Sequence, residues 1–142
     1  MSTGNTTHEA KRDSFESVLI RYVAQQSRFA NSYDNLATFL SAASGKSING
    51  RKITFMARGE AYAKKWLMDL LLKTALQFGW APSSAEDWED VIWALTGKRQ
   101  SVYGGDNQQI YVDLAELSGK PEQLFESNFQ EMLQETNYGR SV

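Results

Sequence analysis

Gly45, Lys46 and Ser47 stand in the order in which a phosphate-binding loop holds a nucleotide, with backbone amides and the lysine around the phosphates and the hydroxyl on magnesium. The context does not fit that chemistry. Such a loop needs a glycine five residues before Gly45, where this chain has Leu40, and it follows a buried strand. Here the preceding Tyr33, Leu36, Ala37 and Leu40 recur at helical spacing. A glycine helix stop followed by a surface loop accounts for the same residues.

Carboxylates one helical turn apart, Glu86 with Asp90 and Glu122 with Glu126, have the spacing to share a cation or to divide acid and base roles. No histidine is near enough in sequence to join either pair, because the single one, His8, stands in a polar leader. The chain has no cysteine, which excludes disulfides, thiol nucleophiles and thiolate zinc sites. It also lacks a serine flanked by glycines in the nucleophile-elbow pattern. Catalysis is therefore not expected, and neither a cofactor nor a metal is implied. Glu86, Asp87, Glu89 and Asp90 read instead as charges that complement a helix start.

Cations are the stronger signal. Between residues 46 and 73 the chain sets Lys46, Arg51, Lys52, Arg58, Lys64, Lys65 and Lys73 against only Glu60 and Asp69. Residues 84–135 reverse the sign, with eleven carboxylates against Lys98, Arg99 and Lys120. Such polarity points to an anionic partner for the first segment and to a basic or protein partner for the second. On a helical wheel Arg58, Tyr62, Lys65, Asp69 and Lys73 gather opposite Met56, Gly59, Ala63, Trp66, Leu67, Leu70, Leu71, Thr74 and Phe78. Lys46, Arg51, Lys52, Arg58, Tyr62, Lys65 and Lys73 are thus the expected nucleic-acid-binding set, the lysines and arginines following phosphates and the tyrosine stacking on a base or packing beneath an arginine stem. Of the four tryptophans, Trp66 and Trp88 fit apolar stripes, whereas Trp93 falls off its helix's apolar face. Trp93, Glu86 and Asp90 are the expected protein-interface residues.

The elements that must position these residues are helical. Thr6 with Glu9 matches a capping box and opens a first helix over about 7–30; Asn31 and Ser32 cap a second that Gly45 closes. The longest periodic run predicts a central helix over about 53–78, stopped by Gly79 with Trp80 folding back. Ser83 and Glu86 then cap a helix over 84–96, closed by Gly97. The triplets Ser101-Val102-Tyr103 and Ile110-Tyr111-Val112 bracket a glycine-rich stretch and suggest a small hairpin or a loop over 100–112, the competing reading being a short helix near Asp113. Pro121 begins a last helix, with residues 136–142 as a polar tail and 1–6 as a disordered leader.

The expected fold is all-α, an antiparallel bundle of five or six helices in one domain over 1–142. The chain shows no signal peptide and no apolar run long enough to span a membrane, so cytoplasmic placement is the default. The function expected is that of a non-catalytic small subunit of a nucleic-acid-handling assembly, partnered by RNA or DNA backbone and by other protein subunits. In size and helical content, and through no motif, the chain resembles the small helical subunits of CRISPR effector complexes. The alternative is a protein–protein adaptor or inhibitor acting through the acidic C-terminal half.

Overall fold

The computed structural model describes residues 14–103 and 107–141. They form seven α-helices and no strand. In chain order these are α1 (Phe15–Ala24), α2 (Tyr33–Ser44), α3 (Gly50–Ala57), α4 (Lys65–Gln77), α5 (Ala85–Thr96), α6 (Gln108–Ser118) and α7 (Glu122–Ser141). The protein is all-α. Its chain divides into two compact units, Met1–Ala63 and Lys64–Val142. No helix among the described residues is long and apolar enough to cross a membrane.

The first unit packs α1, α2 and α3 on one another. Ser14 caps α1, its hydroxyl accepting from the Ser17 N–H at 3.1 Å, and Phe15, Leu19, Ile20 and Val23 are buried. After Ala24 the chain turns through two left-handed residues, Ala30 (φ 51°) and Asn31 (φ 60°), and the Asn31 N–H returns to the Ala24 carbonyl at 2.8 Å. Ser32 caps α2, and Gly45 ends it in the left-handed region at φ 71°. The Ser41 hydroxyl then both accepts from the Ile48 N–H and donates to the Ile48 carbonyl, each at 2.9 Å, so the turn into α3 is held from inside while Ile48 is buried.

Polar groups on α1 fasten the far end of this unit. Ser17 donates to the Ala57 carbonyl at 2.6 Å and accepts from Arg21, so it satisfies one of the C-terminal carbonyls that α3 cannot satisfy itself. Glu16, only 2% exposed, accepts from the Ala63 N–H at 2.9 Å.

The second unit is built around Trp88. Its indole is fully buried and meets Phe129 and Tyr111 edge-on, at centroid distances of 5.1 and 6.2 Å, which joins α5, α6 and α7. Leu67, Leu71, Leu72, Ala75 and Leu76 supply the α4 side of this core. Two lysines tie its ends: Lys65 donates to Asp69 at 2.7 Å and to the Ala94 carbonyl at 2.8 Å, and Lys120 donates to the Leu76 carbonyl near the end of α4 at 2.8 Å.

Several expectations need correction. The central helix over 53–78 is two helices, because α3 ends in a Schellman motif: Glu60 N–H bonds to the Phe55 carbonyl at 2.9 Å and Gly59 N–H to the Met56 carbonyl at 3.1 Å, with Gly59 at φ 77°. The same motif ends α4 as expected, with Trp80 N–H on the Ala75 carbonyl and Gly79 N–H on the Leu76 carbonyl. The hairpin over 100–112 is not formed among the described residues; Ile110 and Tyr111 belong to α6, whose burial against Trp88 overrides their strand preference. The first helix stops at Ala24 rather than 30, and the α5 capping box is Ser84 with Asp87, one residue later than read. Residues expected as a polar tail continue α7 to Ser141. The capping box of Thr6 with Glu9, His8 and the leader lie outside the described residues.

Candidate nucleic-acid interface

The geometry of α3 follows from which of its residues can leave water. Ile53, Met56 and Ala57 are buried, at the i, i+3, i+4 spacing of one helical stripe. Arg51, Phe55 and Arg58 follow the complementary i, i+4, i+7 stripe on the opposite side, with both arginines exposed and Phe55 half-buried. The Arg51 guanidinium lies over the Phe55 ring, 5.5 Å from its centroid. That stacking restricts a side chain otherwise free at the surface and leaves its N–H fork available. Lys52 is exposed on the first turn, and Lys46 is exposed on the turn before it.

Two carboxylates of this unit bear on that surface. Glu60 stands 3.9 Å from the Arg58 guanidinium, with both side chains more than half exposed, which is a loose and solvent-screened pairing. Asp34 lies against the start of α3. A Cβ built on Gly50 would come within 1.7 Å of its Oδ1, so a larger residue fits there only if the Asp34 side chain moves aside. Asn49 caps α3 through a 2.8 Å bond from the Lys52 N–H. Asp34 is thus an acidic neighbour of a helix start that carries no acidic residue of its own.

The expected binding set is therefore divided. Lys46, Arg51, Lys52, Arg58 and Tyr62 belong to the first unit, and Tyr62, in the segment after α3, is 76% exposed. Lys65 and Lys73 belong to the second unit. There Lys65 is engaged by Asp69 and the Ala94 carbonyl, while Lys73 is exposed on α4. The single helix that was to carry Arg58, Tyr62, Lys65 and Lys73 on one side does not exist. Sequence reading missed the stack of Arg51 on Phe55; the signal was the four-residue spacing itself. It also missed Arg28, which lies 4.7 Å from the centroid of the Phe39 ring.

Of the expected protein-interface residues, Asp90 is buried, its side chain 8% exposed, and accepts from Arg99 at 2.8 Å. The same guanidinium covers Trp93 at 4.5 Å from the ring centroid, leaving Trp93 half-buried. Glu86 is exposed on the first turn of α5. The role of Arg99 was not foreseen, because it lies beyond the helix stop at Gly97. Along α7, Glu126, Glu131 and Glu135 are exposed, and the last two border an open hollow of about 280 Å³ with Pro82, Asn128 and Met132. Among the described residues no group of three or more His, Cys, Asp or Glu side chains is placed to hold a metal ion.

The arrangement on α3 offers fixed positive charge around a half-buried ring. It suits binding to an extended polyanion. Comparison of the chain with protein-family models, with curated proteins and with solved structures gives no match.

Proposed function

We propose that the protein is a non-catalytic helical subunit of a nucleic-acid-handling assembly in the cytoplasm, contacting the phosphate backbone through the first unit and other protein subunits elsewhere. The observation that carries this reading is the outward stripe of α3, where Arg51 and Arg58 flank Phe55 directly opposite the buried Ile53, Met56 and Ala57. Lys46 and Lys52 enlarge the same charge. Over residues 14–63 six basic residues stand against three acidic ones, so the unit as a whole favours an anionic partner.

Fluorescence anisotropy of the full chain with labelled oligonucleotides tests it. Binding should weaken steeply with salt, the logarithm of the association constant falling by about 0.9 per phosphate neutralised on a duplex. Changing Lys46, Arg51, Lys52 and Arg58 together to glutamate should abolish binding while the circular dichroism spectrum stays helical. Absence of binding at low salt would overturn the proposal and turn attention to the acidic surface of α7 and a basic protein partner.

A further inference from the structure

We infer that the nucleic acid taken by α3 is double-stranded DNA, entered through its major groove, and that Arg51 reads a base there while Lys46, Lys52 and Arg58 hold phosphates. The inference rests on the proposed function and narrows it to one ligand class.

The first argument is shape. α3 is an eight-residue helix, and an α-helix with its side chains is about 10–12 Å across. The major groove of B-form DNA is about 12 Å wide and admits a helix. The outward side of α3 is a convex rod with cations toward both ends, Lys46 and Lys52 at its start and Arg58 at its finish. A rod charged in this way meets phosphates on both walls of a groove. The connectivity agrees, since α2 passes to α3 through a short turn that starts at a left-handed glycine, the arrangement by which helix–turn–helix pairs present their second helix to the major groove. The five-residue turn here is slightly longer than the common form and is stiffened by Ser41 holding Ile48.

The second argument concerns which side chains are free to do what. Single strands are bound by aromatic rings on which bases stack. The ring on this stripe, Phe55, already has the Arg51 guanidinium over it and is half-buried, so it serves as a rest for the arginine. An arginine resting on a ring keeps its planar fork for the O6 and N7 acceptors of guanine. Lys52 has no such support and is suited to a phosphate. Duplex RNA is disfavoured because its deep, narrow major groove does not admit a helix.

Three equal-length probes, a DNA duplex, its single strand and an RNA duplex, titrated with the full chain, separate the possibilities. The duplex DNA should bind at least about tenfold tighter than the others. A randomised duplex pool, sequenced after capture, should show preference for guanine at one or more positions. Arg51→Ala should erase that preference while leaving the salt slope nearly unchanged, whereas Lys52→Gln should lower the slope by about one unit and keep the preference. Equal or tighter binding of the single strand or of the RNA duplex would overturn the duplex-DNA reading and leave the proposed function standing. A preference unchanged by Arg51→Ala would overturn the role of Arg51. Binding of none of the three probes would overturn the proposed function itself.

Discussion

The two units of this protein solve the same problem with different chemistry. In the first, the Ser17 hydroxyl of α1 donates to the Ala57 carbonyl at the end of α3 and Glu16 accepts from the Ala63 N–H beyond it, so the apolar core is supplemented by directed polar contacts. In the second, Trp88, Tyr111 and Phe129 meet edge to edge and do most of the joining through apolar area. Charge divides along the same line: residues 14–63 carry six basic side chains against three acidic, and residues 64–142 carry seven against twelve.

Substitutions that strike each core test this contrast. The largest effect is expected from Trp88→Ala, which should cost about 3–5 kcal/mol in urea denaturation followed by circular dichroism. If it costs no more than a polar substitution in the first unit, the contrast between the two cores fails. Next comes the buried Asp90. Arg99→Gln leaves its carboxylate without its cation and should destabilise by about 2 kcal/mol, reduced from the fully buried case because Arg99 is more than half exposed. Asp90→Asn, which leaves only an exposed guanidinium unpaired, should cost less, and the order of the two in the same denaturation series checks the assignment. Ser17→Ala removes both the donor to Ala57 and the acceptor for Arg21, for an expected loss of about 1–2 kcal/mol. A loss below that measured for a surface serine such as Ser127 would show that the pin contributes nothing. The smallest change is a gain: Ala30→Gly relieves a left-handed alanine and should raise the denaturation midpoint by the equivalent of about 0.5–1 kcal/mol.

How far the sequence could be read differs between the two units for physical reasons. Gly45, Gly97 and Gly119 each stand where a helix stops, and all three adopt the left-handed conformation that glycine tolerates best. The α5 helix, with its acids at the start and its apolar face, was legible almost to the residue. The break at Gly59 was not. Met56 and Leu67 are eleven residues apart, close to three helical turns, so the apolar rhythm of α3 and α4 stays in phase across the interruption. The one contrary signal, Gly59, was masked by Ala61 and Ala63, which suit a helix. The start of α6 was hidden differently, because Ile110 and Val112 favour strands locally and only their packing with the Trp88 cluster makes them helical.

For the candidate surface, the cations of the first unit were named correctly as exposed, since lysine and arginine rarely leave water. Their grouping was misjudged because it depended on one unbroken helix. Ring contacts such as Arg51 on Phe55, or Arg99 over Trp93, depend on rotamers and on chain returning from beyond a helix end, neither of which periodicity encodes.

The contact between Asp34 and Gly50 also bears on how this chain can change over generations. A methyl at position 50 would overlap the Asp34 carboxylate and press on the Cα beneath it, at 1.7 and 3.2 Å. Drift at these two sites is therefore coupled. A lineage that acquires alanine at 50 must turn the Asp34 carboxylate aside or replace it, and either change moves an acidic group away from its present place at the start of α3. One steric exchange would thus also reset how attractive that end of the molecule is to a polyanion.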